Sequence, residues 1–369
     1  MHLLDHTFNK IDLSVDEIIK KDPFGVSRIE KEIILLRRLN LLTFWHNQNC
    51  DSYRRILLAL GVGAGNSKSV NDIPFIPVRL FKELELRSTN EVFRTLSSSG
   101  TTGQQVSKIY LDKQGASHQT KALAKIVGNV IGTRRLPIMV IDSEATVSSR
   151  ERFSARAAGI HGFSMFGSKR LFALDDNMEL RVNQVADFID QHRETGILIF
   201  GFTFMVWQHL FLAAEKAGLV LDLSKGILIH GGGWKKLAAI SVTNEVFRME
   251  MRRLFGIVRI HDYFGMVEQT GTIFIECELG HLHASTLSDV VIRDPVNFSV
   301  APFGKRGIVQ TLSALPESYP GHSLLTEDEG LILGEDDCPC GRLGKYFRIF
   351  GRLANAEIRG CSDTYAQQF

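Results

Sequence analysis

Cysteine is scarce in this chain: five residues among 369, at positions 50, 277, 338, 340 and 361. An odd and sparse set excludes a secreted disulfide framework. It points to a reducing, cytoplasmic setting, in which Cys338-Pro-Cys340 and Cys361 call for a metal or a nucleophilic role. Proline is scarce too, with nine residues against 32 glycines, which excludes a proline-rich or collagen-like chain. Net charge is nearly absent: 43 Lys and Arg face 41 Asp and Glu, leaving +2. That excludes a strongly basic nucleic-acid binder and an acidic tail. No apolar run approaches the roughly 20 residues that span a bilayer. Met1–Asp22 carries scattered charges and no uninterrupted apolar stretch, unlike a signal peptide. What is present is ordinary globular composition, 44% hydrophobic and 23% charged, in a chain long enough for two to three domains of roughly 150 residues.

The periodicity changes along the chain. Residues 1–90 read as a helical lead, with apolar residues at three-and-four spacing from Arg28 to Trp45 and again from Ser52 to Leu60. The run Asp72-Ile-Pro-Phe-Ile-Pro-Val-Arg-Leu-Phe is broken twice by proline and is expected to be extended. From 91 to 270, short apolar strands alternate with helices. The strands are Glu91–Leu96, Leu136–Ile141, Gly196–Phe200, Gly226–Ile229 and Val258–Tyr263. The helices are Ala116–Val130, Ser149–Ala158, Val182–His192, one running through Glu215, and Asn244–Phe255. Such alternation predicts a mostly parallel sheet with flanking helices. Residues 271–350 lose the helices and read as a small β segment, and 351–369 form a tail. The expected class is α/β. Its glycine-rich loops follow the carboxyl ends of strands, where open α/β sheets bind ligands.

Four constellations carry chemistry. Ser97-Ser98-Ser99-Gly100-Thr101-Thr102-Gly103 combines glycine freedom with hydroxyl donors, a composition that suits a phosphate; no Gly-Lys-Thr/Ser follows, so it is not a Walker loop. His230-Gly231-Gly232-Gly233-Trp234-Lys235-Lys236 lets a flat or charged ligand approach the backbone, with Lys235 or Lys236 to meet a carboxylate or phosphate. Asp262-Tyr263-Phe264-Gly265-Met266-Val267-Glu268-Gln269-Thr270-Gly271 sets an aromatic beside a glycine, able to border a base, and a carboxylate able to hold a hard cation. Thr326-Glu327-Asp328 followed by Gly351-Arg352 supplies an acceptor and a donor for vicinal hydroxyls. Taken singly, each also reads as a polar turn, a flexible loop or a strand end.

Taken together and in this order, SSSGTTG, GGG, YFGMVE, TED and GR resemble the adenylate-forming superfamily of acyl-CoA ligases. GGGWK, the lead ending in DIPFIPVRLFK, and the cysteine in ANAEIRGCSDTYAQQF resemble more narrowly the LuxE-type acyl-protein synthetases. The resemblance implies activation of a carboxylic, fatty, acid by ATP with Mg²⁺. It implies that Ser98, Ser99, Gly100, Thr101, Thr102 and Gly103 cradle the phosphates. By the same match Gly231, Gly232, Gly233 and Tyr263 line the adenine, Glu268 holds Mg²⁺, and Asp328 and Arg352 bind the ribose. Cys361 then takes the acyl group as a thioester for a protein partner, by resemblance an acyl reductase, in a multi-enzyme complex or homo-oligomer. A thiolate is a good nucleophile toward an activated acyl group, and Arg359 nearby favours the thiolate.

Two features depart from the pattern. The C-terminal subdomain usual in adenylate-forming enzymes, with its carboxylate-contacting lysine, is not expected here, and Lys235 is the substitute. Cys338-Pro-Cys340-Gly341-Arg342 is closer to the phenylacetate-CoA ligase branch. With Cys277 and His283 (His281 as alternate) it provides a tetrahedral zinc set; the bland alternative is a set of buried thiols. Phe202, Phe204, Trp207 and Phe211 read as core or as acyl-pocket lining. His161 and His230 lie near loops, and His230 is placed either to sense the substrate carboxylate or as a satisfied structural histidine. Lys20-Lys21 and Arg37-Arg38 read as solvated faces. Two rival readings stay open: a ligase that hands the acyl group to CoA or a carrier protein, and an inactive nucleotide-binding interaction protein.

Overall fold

Strands that are apolar on both faces must be covered on both faces, and the first half of the sheet is built this way. The computed structural model describes residues 14–98, 106–148, 155–234 and 241–353. Strands β1 (Ile76–Pro77), β2 (Arg94–Ser97), β3 (Lys108–Leu111), β4 (Leu136–Ser143), β5 (Gly167–Leu174), β6 (Leu198–Phe202), β7 (Ile227–Gly231) and β8 (Arg259–Phe264) come first. After them come β9 (Phe274–Glu276), β10 (Leu282–His283), β11 (Ser288–Arg293), β12 (Gly307–Ser313), β13 (Ser323–Glu335) and β14 (Lys345–Arg352). Every residue of β6 and β7 is buried. Alternate residues face opposite sides. Met139, Ile141, Ile199 and Leu228 pack with the helices Val182–Gln191 and Asn244–Phe255 and with the helical run 203–216. Ile138, Val140, Leu198, Phe200 and Ile229 pack with Lys113–Ile131 and Ala155–Ser164 on the other side.

The strand order is β11-β12-β13-β14-β10-β9-β8-β7-β6-β4-β5, with β1 on β13. Pairing is parallel from β5 to β8 and antiparallel from β8 to β11. The β-rich segment after residue 271 therefore continues the core sheet through β8–β9, and the sheet as a whole is mixed. The helical lead covers this antiparallel half: Ile34, Leu35, Leu39 and Leu42 of helix Arg28–Asn49 pack on Leu287, Val291 and Leu312.

Local signals explain most boundaries. Ser14 and Glu17 form a capping box on Val15–Lys20. Gly256 ends Asn244–Phe255 in the left-handed conformation, φ 72°. The proline-broken run becomes β1 and a short helix, Leu80–Glu83. The strand expected at Glu91–Leu96 starts later, at Arg94, and pairs only with β3 as a separate ribbon. Of the helix expected at Ser149–Ala158, residues 149–154 lie outside the described residues, and the described helix is Ala155–Ser164. Strand β5 was not expected, because Lys169 and Arg170 interrupt its apolar pattern; they are exposed on the sheet edge. Among the described residues no helix is long and apolar enough to cross a membrane.

Candidate active site

At the carboxyl end of the parallel strands the chain turns away from the sheet, and a cleft of about 1630 Å³ opens there. Ser98, Gly232, Gly233, Tyr263, Glu268, Asp328 and Arg352 all line it. Gly231 lies just behind: a Cβ there would sit 2.6 Å from the Tyr263 ring. At Gly232, φ is +81° and a Cβ would meet Phe202 at 2.7 Å, so only glycine lets the loop pass between the two rings. Tyr263 is further braced by Phe163, centroids 5.1 Å apart. Ser98 closes the base of the serine-glycine loop, donating its N–H to the Ser107 carbonyl at 3.1 Å and accepting the Ser107 N–H on Oγ at 2.9 Å. Ser99, Gly100, Thr101, Thr102, Gly103, Lys235, Lys236, Arg359 and Cys361 lie outside the described residues.

Asp328 and Arg352, far apart in sequence, stand directly opposite each other on β13 and β14. Opposite residues of an antiparallel pair project to the same face, which here borders the cleft. Glu268 sits in the short turn Val267–Gln269 and is buried. Burial pushes its carboxyl above the usual range, while Lys82 and Arg352 pull the other way. A dry carboxylate facing a cleft is a fitting partner for a cation.

One wall was anticipated only at Asp262, which heads the third constellation; Arg248, Glu276 and Arg348 were not. Glu276 accepts the Asp262 N–H at 3.1 Å and Arg248 Nη1 at 3.2 Å, and all three residues line the cleft with Arg348. The rule that ligands gather at strand ends was the available signal for Thr203. Thr203 Oγ1 donates to the Gly231 carbonyl at 3.1 Å and lies 3.0 Å from His230 Nδ1. With that hydroxyl proton in use, Nδ1 is the donor of the pair. Burial lowers the His230 pKa to about 3, so the ring is neutral and offers a substrate carboxylate no positive charge. Phe202 borders the cleft, whereas Phe204, Trp207 and Phe211 are core residues. The run Val206–Leu212 is π-helical, a geometry frequent near functional sites.

The sulfur-rich residues converge at a second place. One ligand atom from each of Cys277, His283, Cys338 and Cys340 lies within 4.8 Å of the others. Cys340 Sγ is 3.5 Å from His283 Nε2, and His281 Nδ1 is 3.4 Å from Cys338 Sγ. Burial and the neighbouring thiols push Cys338 up to about 12, and burial pushes His283 down to about 3. Three crowded thiols and a neutral imidazole whose Nε2 faces Cys340 Sγ match the donor set of a thiophilic cation. The cluster can hold a metal ion.

Comparison with known proteins follows the same lines. A family model described as acyl-protein synthetase, LuxE, matches residues 7–369. No curated protein sequence matches. Among solved structures, an open conformation of 2-hydroxyisobutyryl-CoA ligase in complex with 2-HIB-AMP and CoA is 17% identical. It covers 90% of this chain and 77% of its own, with a TM-score of 0.67. The same ligase with 2-HIB-AMP and CoA in the thioesterification state is 18% identical, covering 90% and 70%, at a TM-score of 0.68. At these identities the likeness concerns the fold, which is that of adenylate-forming ligases.

Proposed function

Given that the chain belongs to the LuxE acyl-protein synthetase family and is an adenylate-forming ligase, we propose that it activates a fatty acid in the cytoplasm and loads the acyl group on Cys361. The thioester is then delivered to a protein partner such as an acyl reductase. In the first half-reaction a carboxylate oxygen attacks the α-phosphorus of ATP. The bond to the bridging oxygen breaks, and acyl-AMP and pyrophosphate form. In the second, the Cys361 thiolate attacks the acyl carbon, the bond to the phosphate oxygen breaks, and AMP leaves.

The observation that carries this reading is the single cleft shared by Ser98, Gly232, Gly233, Tyr263, Glu268, Asp328 and Arg352. The role of Ser98, Ser99, Gly100, Thr101, Thr102 and Gly103 is to hold phosphate charge with N–H and hydroxyl donors. Gly231, Gly232, Gly233 and Tyr263 form the flat wall for adenine, and Asp328 accepts from ribose hydroxyls beside Arg352. Lys235 meets the carboxylate. Glu268 holds Mg²⁺, which supplies neutralisation of phosphate charge. Cys277, His283, Cys338 and Cys340 hold a zinc ion whose contribution is structural. Residues 351–369 act as the acyl-carrying arm.

The test is intact mass after incubation with ATP, Mg²⁺ and a panel of carboxylic acids. An acyl-sized increment is expected on wild type, mapping to Cys361. Cys361→Ser is expected to keep acid-dependent pyrophosphate exchange and lose the increment. A hydroxylamine-sensitive label retained on that variant overturns the role of Cys361. Pyrophosphate release with no protein adduct points instead to CoA or a carrier as acceptor.

A further inference from the structure

The sheet has a narrow waist. Strand β10 contributes two residues, and among the described residues it alone links β9 to β14 in the strand order. On one side Leu282 and His283 pair with Glu276 and Ile275; on the other they pair with Phe347 and Tyr346. A ladder this short supplies few hydrogen bonds to set how the two halves stand. Yet the cleft lies between those halves, with Gly232 and Tyr263 on one wall and Asp328 and Arg352 on the other.

The four metal donors stand at this waist. Cys277 follows β9, His283 is in β10, and Cys338 and Cys340 lie in the turn that leads into β14. That turn is built to present thiolates. Gly341 adopts φ +82° and donates its N–H to the Cys338 carbonyl at 3.0 Å. The Arg342 N–H points at Cys340 Sγ, 3.5 Å away, a donor that stabilises sulfur charge. Two paths run from the cluster to the cleft. Strand β14 carries Arg352 at its far end, opposite Asp328. Glu276, next to Cys277, holds the Asp262 N–H and Arg248 in the cleft wall.

We propose that the metal at Cys277, His283, Cys338 and Cys340 pins the waist of the sheet and so sets the spacing of the two cleft walls, coupling metal occupancy to nucleotide affinity. This rests on the zinc assignment above and adds what the ion does. Metal bonds from β9, β10 and the β14 turn replace the stiffness that a two-residue strand lacks. Coupling of this kind is reciprocal: whatever factor zinc adds to nucleotide affinity, the nucleotide adds to zinc affinity.

The experiment uses the full-length protein purified without chelator. Zinc content is measured first, and about one ion per chain is expected. AMP binding is then measured calorimetrically before and after zinc removal. The expected loss of AMP affinity is about tenfold, within the usual range of such couplings. AMP is expected to raise zinc affinity, read by competition with a chromophoric chelator, by the same factor. Hydrogen exchange is expected to rise after zinc removal in β10 and the first residues of β14, and to stay unchanged in β4, β6 and β7. If zinc-free protein does not stay folded, Cys340→Ser keeps three ligands. Its AMP affinity is expected to follow zinc occupancy across a zinc titration. Unchanged AMP affinity in folded protein shown to have lost its zinc overturns the coupling while the zinc assignment stands, and so does an AMP affinity of Cys340→Ser that ignores zinc. No zinc in protein never exposed to chelator overturns the assignment and the coupling with it. Zinc present but no AMP binding to the loaded protein overturns the nucleotide reading of the cleft.

Discussion

The parallel and antiparallel halves of the sheet bury different chemistry. In β4, β6 and β7 the strand interiors are apolar, and buried polar side chains come only at the carboxyl ends: Asp142, Ser143, Thr203 and His230. In the antiparallel half polar side chains are buried within the strands, among them Ser288, Asp289 and Arg293 in β11 and Gln310, Thr311 and Ser313 in β12. Some of them are bonded across strands: Arg293 Nε donates to Gln310 at 2.6 Å, and Gln310 Nε2 donates to Ser323 Oγ at 3.0 Å, whereas Thr311 Oγ1 has no hydrogen-bond partner among the described residues. Lys345 and the lead's Lys31 share Asp289, at 2.8 and 3.8 Å. In one half Thr203 and His230 line the cleft, while Asp142 holds Arg156 and Ser143 donates to Asp176. The other places buried polarity inside the strands, where the bonded pairs favour one packing arrangement.

That contrast is open to test. Phe200, fully buried and stacked on Phe163 at 4.3 Å, represents the apolar half. Phe200→Ala is expected to cost about 3–5 kcal/mol in urea unfolding. The cost is expected to be the same at neutral and alkaline pH, because no proton is involved. Asp289 represents the other half. Burial alone would raise its pKa, but the ammonium groups of Lys345 and Lys31 outweigh that and hold it low. Asp289→Asn leaves two buried cations without their carboxylate, at an expected cost of about 3 kcal/mol near neutral pH. Contacts to the Ala284 and Val290 carbonyls keep this at the lower end. Burial already lowers the Lys31 pKa, and loss of Asp289 lowers it further. The folded variant therefore sheds protons before the unfolded chain does, and it gains stability as pH rises. Its deficit against wild type is expected to shrink at alkaline pH, whereas a deficit as flat as that of Phe200→Ala would erase the contrast. The smallest effect concerns the site where the halves meet. Asp328→Ala is expected to leave unfolding nearly unchanged and raise KM for ATP about ten- to hundredfold, the cost of losing hydrogen bonds to a charged acceptor. An unchanged KM would remove Asp328 from the ribose site.

Legibility followed the range of the forces involved. Helix Asn244–Phe255 was readable to the residue, because a Thr243 cap, a 3.6-residue stripe and Gly256 all act within a turn of each other. Strands β4, β6 and β7 were readable as apolar runs, though their ends drifted by one or two residues. Strand β5 escaped because edge exposure permits lysine and arginine. Arg248 and Glu276, which join Asp262 in the wall, escaped because no local pattern ties a helix residue to two strands that pair only in the fold.

Residue type and local spacing, which need no partner, are what the sequence by itself determined here. The apolar strands, the glycines that admit a close ring, the hydroxyl-rich loop and the thiol and imidazole donors were all visible in order along the chain. Only the tertiary structure decided that Asp328 faces Arg352, because that depends on the register of β13 against β14 across two irregularities. It alone brought Cys277 and His283 to Cys338 and Cys340, because a strand of two residues joins the two halves of the sheet. Long-range pairing is set by the cooperative packing of the whole core, and no window of the sequence contains it.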